Sequence, residues 1–457
     1  MNRLITYASF LCLASGSIFS CQSTYGSKER EEIGKLLSAG QFSTAAETHR
    51  SLEYSYDLPR DELLFHLNQS SLDYYASIIR EGEVLLKSAA FERAEEMLRH
   101  SEVQQNSLAA HTRDNAALQT YTATLQENLW QNIFASLYYW NRDSLNGALV
   151  ELRRNHEKVE LYRQYARNRD NLFHRNDERL DFRNSALMQY LGMLYYRADR
   201  RWDDWRINRD ELITLLDQSK HYAISEPKKL IPSERISAGN GAINLVLFTG
   251  RGVRKDLETV RIIKVPGGVA LQLDGSRDAQ AELGLSTIAI PALSANFSYY
   301  EMSIPVMIAE SNQVRKISLR IDGGPEQNIY ALENFAAINL NLFHHLRADI
   351  LAKQVPAFIL KVLASEAVQA ALGNDNGAGF LAGLIGSALT TASQPQVDLR
   401  KPGFHPSVGW VGEFQVPFGL HGIELSYYGT SGLLHRKMLE VQVTEGKTQI
   451  IQDYYAR

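Results

Sequence analysis

The sequence predicts an α+β protein in which a helical first half is followed by a β-rich second half. Pro59 is the only proline before Pro227, and apolar residues in this part recur at the spacing that one face of a helix requires. After Gly239 the pattern changes to short β-branched and aromatic runs separated by Gly, Pro, Asn and Asp. We therefore expect a helical domain over residues 21–226 and a β-rich domain over residues 227–457.

Residues 1–20 have the parts of a bacterial secretion signal. Arg3 supplies the positive charge, an apolar run follows, and Ile18 and Ser20 suit a lipoprotein signal peptidase that cleaves before Cys21. We expect Cys21 to be the lipid-modified first residue of the mature chain. An ordinary cleaved signal is the alternative. An uncleaved anchor is disfavoured, because the apolar run of about 16 residues is shorter than the roughly 20 that a bilayer core requires.

The residues around the cleavage site also bear on location. Gln22 follows the cysteine at the position where aspartate signals retention in the inner membrane. The expected location is therefore the outer membrane, lipid-anchored and facing the periplasm, so the first predicted partner is the membrane itself. Cys21 would be the only cysteine of the mature chain, which excludes an intramolecular disulfide bond.

Composition limits the other partners. The chain has 457 residues, 44% of them hydrophobic, which is enough for about two to three domains with apolar cores. Its 48 basic and 52 acidic residues leave a net charge of -4, so no positive field attracts nucleic acid. The sequence predicts no nucleic-acid partner and no cofactor.

Two amphipathic runs in the first half predict an antiparallel helix pair. Leu129, Ile133 and Leu137 form one apolar stripe, and Leu145 and Leu152 belong to a second stripe after a short polar break. Helix pairs of this kind often stack into solenoids, whose sequences repeat with a fixed period.

The segment from Gly40 to Ala46 resembles a tetratricopeptide unit, in which small residues let two helices approach closely. Ala46 and Ala148 are 102 residues apart, which is three 34-residue periods. The pattern of residues 42–45, however, recurs at residues 91–94, an offset of 49 that breaks the period. A degenerate tetratricopeptide-like repeat and a helical bundle both remain open.

The β-rich half is expected to be sandwich-like with a helical insertion at about residues 331–392. Helical spacing runs from Leu332 to Leu372, with a break or kink at Pro356. The simplest topology is one β domain interrupted by the insertion, and two separate β modules are the alternative. The runs that predict strands are residues 243–248, 260–265, 287–290, 300–308, 314–321, 408–417, 423–428, 438–443 and 448–454.

One segment inside the insertion is uncharged, small and apolar. Gly379 and Gly383 are four residues apart, a spacing that permits close contact between membrane helices. The segment is thus a candidate to touch lipid or a partner's helix, although a glycine-rich helix packed beneath the sheet is the favoured interpretation. Its candidate interaction residues are Gly377, Gly379, Phe380, Gly383, Leu384 and Gly386.

No motif of a common enzyme class is complete. His156 and Glu157 lack the second histidine of a zincin, and neither a Gly-x-Ser-x-Gly elbow nor a Walker loop occurs. His344 and His345 are neighbours on a predicted helix, where they project about 100° apart and do not readily share a metal ion. The sequence therefore predicts no catalytic and no metal-ligating residue.

Four short stretches occur in an order that resembles a family of uncharacterised bacterial envelope lipoproteins. They are GALVELRR at residues 147–154, QVPA at 354–357, VDLR at 397–400 and PFGLH at 417–421. Members of this family have a tetratricopeptide-like first half and a β-rich second half. Lys401 and Pro402 depart from the Ser-Trp pair expected after Arg400. The resemblance implies an envelope location and this architecture, but no activity.

Two classes of function follow from these observations. The favoured class is a non-enzymatic scaffold or assembly factor at the outer membrane that binds an envelope protein. The alternative is an enzyme or carbohydrate-binding module that acts on peptidoglycan or surface polysaccharide through Trp410, Tyr427 and Tyr428. The sequence has neither a carboxylate pair nor a nucleophile and base at a recognisable spacing, which favours the first class.

Overall fold

A computed structural model describes residues 27–53, 60–78, 89–100, 120–121, 123–173, 184–218, 230–265, 268–273, 288–289, 299–310, 312–343 and 399–457. Helices form the first half of these residues and strands form most of the second half, so the fold is mixed α+β, as the sequence predicts. Cys21 and the leader lie outside the described residues, as do the glycine-rich segment from Gly377 to Gly386 and the neighbours His344 and His345.

The described helices of the first half are α1 (Ser27–Ser38), α2 (Phe42–Ser51), α3 (Glu62–Ile78), α4 (Ala89–His100), α5 (Leu125–Asn141), α6 (Leu145–Phe173), α7 (Ala186–Ala198) and α8 (Trp202–Gln218). Successive helices pack on one another, and α3 packs on α5 as well. Their lengths vary from 10 to 29 residues. A regular 34-residue tetratricopeptide repeat is therefore not confirmed.

The helix pair predicted around Leu129 and Leu152 is present as α5 and α6. A capping box begins α5, because the Thr124 hydroxyl accepts from the Glu127 N–H and the Glu127 carboxylate accepts from the Thr124 N–H. Leu129 and Leu152 are fully buried in the same apolar core. None of the described helices is long and apolar enough to cross a membrane.

The described strands are β1 (Asn240–Arg251), β2 (Val253–Val265), β3 (Gly268–Leu273), β4 (Ile288–Ala289), β5 (Tyr299–Ala309), β6 (Lys316–Ile321), β7 (Gln327–Asn334), β8 (Pro406–Pro417), β9 (Gly419–Gly429), β10 (Gly432–Val443) and β11 (Thr448–Tyr455). One sheet has the order β10-β9-β6-β7-β8-β1-β11, and a smaller one has the order β4-β3-β2-β5. The larger sheet contains strands from both sides of the insertion, and β8 lies between β7 and β1, so these strands form one sheet and not two modules.

The start of the predicted insertion needs a correction. Leu332 belongs to β7, and helical residues begin only at Phe335 and are described to residue 343. The pairing of β7 with β8 shifts register between Ala331 and Glu333. This irregularity breaks the alternation of buried and exposed side chains by which a strand is recognised in sequence.

The larger sheet curls on itself, and this overturns the expected sandwich. One face joins the helical core, to which β1 contributes Val246 and Phe248. The other face encloses its own apolar cluster, with Leu245 of β1 and Tyr427 of β9. Both faces of β1 are therefore buried, as its nearly continuous apolar sequence requires. In a sandwich, a second sheet would pack on a face of β1. Here the helices pack on one face, and strands of the same curled sheet pack on the other.

Candidate interaction groove

A groove of approximately 1080 Å³ lies between the helices and the edge of the curled sheet. Its helical wall is formed by the C-terminal ends of α3, α5 and α7. Its other wall is formed by β10, β11 and the turn at residues 444–447 that joins them.

Buried hydrogen bonds hold the helical wall to β11. The Gln452 side chain donates to Oδ1 of Asn141 at 2.6 Å and accepts from the Tyr74 hydroxyl at 2.9 Å. Further along the strand, Nε of Arg197 donates to the Thr448 hydroxyl at 2.9 Å. The base of the groove is therefore a network of paired polar groups, which favours one fixed arrangement of helix ends and strand.

Arg197 is neutralised within this network. It forms a buried ion pair with Glu413 and donates to the Ser233 carbonyl at 2.7 Å. Glu413 in turn accepts from the Ser233 N–H at 2.7 Å. Removing either charge would leave the other buried without a partner, at a cost of several kcal/mol. This pair therefore positions α7 on β8 and leaves no free charge for a ligand.

Two half-buried tryptophans form the aromatic part of the groove. The Trp140 ring stacks on Tyr195, with centroids 5.4 Å apart and planes inclined by 26°. The guanidinium carbon of Arg235 lies 5.6 Å from the centroid of the Trp202 ring, within cation–π range. Each ring is thus held by a neighbour within the protein, which fixes its orientation at the groove.

The exposed charges along the groove are mixed in sign. They are Arg200, Arg235, Lys447, Asp143, Glu440 and Glu445. With three cations and three anions in this set, no strong field of one sign selects the ligand.

Two of these charged residues have an unusual backbone. Asp143 has φ 56° and Arg200 has φ 60°, in the left-handed region that favours glycine. Each residue follows a helix that ends at the groove. The last turn of the first helix is closed by a bond from the Ser144 N–H to the Tyr139 carbonyl, and that of the second by a bond from the Arg201 N–H to the Tyr196 carbonyl. A charged side chain is thus kept at two positions where glycine would be more stable, and both face the groove.

A second polar cluster lies between the helices and the sheet, closed to solvent. Nζ of Lys401 lies 2.8 Å from Oε1 of Glu127, and their side chains are only 2% and 1% exposed. Lys401 also donates to Asn339 at 3.2 Å. Burial by itself would raise the pKa of Glu127, but the charge and the hydrogen bond of Lys401 lower this pKa to about 2. Glu127 is therefore a permanently charged structural partner and not a proton-exchanging group.

The neighbouring ion pair extends this cluster. Arg400 lies 2.8 Å from Asp61, and both side chains are buried. His405 packs edge-on against the Trp130 ring, with centroids 4.9 Å apart, and burial lowers the pKa of His405 to about 3. The Arg400 to His405 stretch, where the sequence departs from the family pattern, thus lies between the two halves of the molecule.

The aromatic residues proposed for carbohydrate binding are mostly internal. Trp410 is 7% exposed and donates to the Thr249 hydroxyl at 2.9 Å, while Tyr427 is fully buried and donates to Asp453 at 2.6 Å. Tyr428 is half-buried, with the Lys316 ammonium 5.4 Å from its ring centroid. The structure therefore does not bring these three together as an open sugar-binding platform.

Most groove residues carry no signal in the sequence. The groove forms from segments that are far apart in the chain, such as the end of α5 and the start of β11. The local signals are the polar break at residues 141–143, which predicts a turn, and the aromatic stripe at residues 138–140, for which core packing is favoured over a ligand groove. Among the residues that the structure describes, no group of three or more His, Cys, Asp and Glu side chains could hold a metal ion.

Comparison of the chain with protein-family models, with curated proteins and with solved structures finds no match.

Proposed function

We propose that this chain is a non-enzymatic interaction protein of the bacterial envelope, anchored through Cys21 to the outer membrane and facing the periplasm. The groove between the helix ends and β10 and β11 is its binding site for an envelope protein. The observation that carries this proposal is the groove itself, with a network of hydrogen bonds at its base and mixed exposed charges along its length. The tetratricopeptide-like relationship of the helical half belongs to the same proposal.

The position of α1 supports this arrangement. Arg251 at the end of β1 lies against Gly34, and Arg457 beyond β11 donates to the Ser38 carbonyl at 3.1 Å. The groove begins at the opposite end of β11, which is eight residues long, and an eight-residue strand spans about 26 Å. Six residues lead from Cys21 to the start of α1, which reach at most about 20 Å. A lipid on Cys21 would therefore hold α1 near the membrane and the start of the groove away from it.

The anchoring part of the proposal is tested by fractionation. Cys21→Ser removes the thiol that would carry the lipid, so the full-length protein should move from the membrane fraction to the soluble periplasmic fraction. Cys12→Ser, which alters the other cysteine of the leader, should leave the protein in the membrane. Membrane retention and unchanged electrophoretic mobility of the Cys21→Ser protein would disprove lipid anchoring.

The binding part is tested with charge-reversal variants of the groove. Tagged wild-type protein and the Arg200→Glu/Lys447→Glu variant are cross-linked in cells and purified from the envelope. Ile207→Ser, at a position on α8 that is 65% exposed, serves as the surface control. A partner that is retained by the control and lost by the groove variant supports the proposal. Equal recovery by all three proteins would show that the groove is not the binding site.

A second candidate function is a carbohydrate-binding module, because Trp140 and Trp202 place two aromatic rings at one groove. Purified sacculi separate the two candidates. Co-sedimentation of the wild-type protein with sacculi, lost on Trp202→Ala, would favour the module. Absence of co-sedimentation, together with a groove-dependent protein partner, favours the interaction protein.

A further inference from the structure

The strands β10 and β11 are consecutive in the chain, yet they occupy the two outer positions of the seven-stranded sheet. Only the four residues 444–447 separate them. β10 pairs with β9, and β11 pairs in parallel with β1. A short connection of this kind ordinarily produces a hairpin. Here the two strands instead border a seam in the curled sheet, and the groove opens along it.

The contacts identified across this seam involve side chains. Lys437 of β10 forms an ion pair with Asp453 of β11 at 2.6 Å. Nε2 of Gln449 donates to the main-chain carbonyl of Gln442 at 2.6 Å. The second bond shows that the Gln442 carbonyl points away from β9 and into the seam. A side-chain amide thus occupies a place where the N–H of a neighbouring strand would normally donate.

The direction of the Gln442 carbonyl fixes the direction of other main-chain groups of β10. In an antiparallel ladder, residues alternate between those bonded to the partner strand and those directed away from it. The register of β10 against β9 is continuous from His435 to Val443. The main-chain N–H and C=O groups of Met438 and Glu440 therefore face the seam as well. None of the strands that the structure describes pairs with this edge of β10, which we call its free edge.

A second observation points to an absent hydrogen-bond donor. Oε1 of Gln449 is buried, and within the described part of the chain it has no hydrogen-bond partner. Burying such an acceptor without a donor costs free energy. A peptide N–H that entered the seam beside Gln442 would provide the missing donor.

We infer that the groove binds an extended peptide segment of a partner protein, which adds to the free edge of β10 as a further strand. This inference rests on the proposed function and names the form of its ligand. The part of β10 that lines the groove runs from Lys437 to Gln442, so a strand of about six residues would occupy it. Main-chain bonds to Met438 and Glu440 would provide affinity, and alternate side chains would contact the groove.

The lining of the groove agrees with a peptide ligand. An extended peptide offers donors and acceptors in the alternating order that a free strand edge presents. The exposed charges are balanced in sign, so they suit a segment whose main chain is the principal recognition element. The inserted strand would continue the ladder of the seven-stranded sheet and occupy its open seam.

A random dodecapeptide library displayed on phage is the probe. The full-length Cys21→Ser protein is the bait, and selected peptides are synthesised for affinity measurement. Glu440→Pro removes an N–H directed at the seam without removing a bond to β9, whereas Glu440→Ala keeps that N–H. We expect Glu440→Pro to bind the selected peptide about tenfold or more weakly than Glu440→Ala, because both variants lack the carboxylate and only the proline variant lacks the N–H.

A scan of the selected peptide by N-methylation leaves the protein unaltered and so remains informative if Glu440→Pro unfolds. Strand addition predicts that N-methylation weakens binding at every second residue, because only alternate N–H groups face β10. Loss of binding without this period of two would overturn strand addition, and so would failure to select any peptide. The groove could still bind a folded partner surface in either case, which the charge-reversal experiment establishes separately.

Discussion

The two boundaries of the seven-stranded sheet are built in opposite ways. Where the sheet meets the helices, ionic groups are buried and paired, as Lys401 is with Glu127 and Arg197 with Glu413. Where the sheet meets itself, β10 and β11 face each other across a seam that side chains bridge at Lys437 and Gln449. The first boundary is closed to solvent, whereas the second opens into the groove.

This difference indicates how stability and binding are divided within the molecule. Buried ion pairs are costly to disrupt, because removing one partner leaves an uncompensated charge in the interior. They fix the position of the sheet on the helices. The seam leaves main-chain groups of an edge strand available, which natural proteins usually protect against unwanted pairing. We therefore expect changes at the helix face to affect folding and changes at the seam to affect binding.

The largest effect is expected at the buried Lys401–Glu127 pair. Lys401→Ala leaves the Glu127 carboxylate without its counter-ion and should lower the free energy of unfolding by about 3–5 kcal/mol. Urea denaturation followed by tryptophan fluorescence measures this loss. Adding Glu127→Gln to Lys401→Ala should recover part of it, because a neutral amide is less costly to bury. A loss below about 1 kcal/mol for Lys401→Ala would contradict the structural role of the pair.

An exposed ion pair provides the control for this prediction. Lys35 and Glu31 lie 2.8 Å apart on α1, but their side chains are 74% and 66% exposed. Lys35→Ala should leave the urea midpoint unchanged within error, since solvent screens such pairs. An equal loss of stability in the two Lys→Ala variants would remove the distinction between the buried boundary and the surface.

The second-largest effect is expected at Glu333, whose side chain on β7 is hydrogen-bonded to the start of α7. One of its carboxylate oxygens accepts from the Ser185 hydroxyl and from the Leu187 N–H, each at 2.8 Å. Burial raises the pKa of Glu333 to about 7 from its ordinary value of 4.5. The folded protein therefore favours the protonated form. The resulting stability is fully present below pH 4.5 and is lost as the pH rises through 7.

Glu333→Gln keeps a hydrogen-bond acceptor at this position and removes the titration. Relative to this variant, the wild-type protein should lose up to about 3 kcal/mol of unfolding free energy between pH 4.5 and pH 8. Urea unfolding at several pH values measures the difference. Parallel stability curves for the two proteins would show that Glu333 does not titrate in this range.

The smallest effect is expected at Arg200, where one substitution should change stability and binding in opposite directions. Arg200→Gly should raise the free energy of unfolding by about 0.5–1 kcal/mol, because glycine adopts φ 60° without strain. The same change removes a cation from the groove and should weaken partner binding. Arg200→Ala removes the guanidinium group but keeps the strained backbone, so it should weaken binding equally without the gain in stability. Unchanged binding in both variants would place Arg200 outside the binding surface.

The local elements could be predicted from the sequence, because local spacing determines them. The pair α5 and α6 followed from the recurrence of apolar residues around Leu129, and β8 to β11 followed from short apolar runs between turns. The start of the insertion was misplaced, because the register shift near Ala331 hides the strand period. The sandwich was wrong, because continuous burial of β1 does not specify whether helices or strands cover it.

The candidate groove could not be predicted in the same way. Its walls come from helix ends and strands far apart in the chain, as the contact between Asn141 and Gln452 shows. The parallel pairing of β11 with β1 also joins distant segments, and nothing in the short turn at residues 444–447 indicates it. Lys401 was noted only as a departure from the family pattern. Its burial beside Glu127 depends on tertiary packing, which composition and periodicity do not report.

Photo-crosslinking in living cells tests the central claim that the groove binds a partner. A benzoylphenylalanine residue is placed at Gln442, whose exposed side chain lines the groove, and separately at Ile207 on α8. Both variants keep Cys21 and the native leader. We expect a discrete protein adduct from position 442, which Arg200→Glu abolishes, and no corresponding adduct from position 207. The same adduct from both positions, or none from position 442 in a correctly localised protein, would contradict the claim.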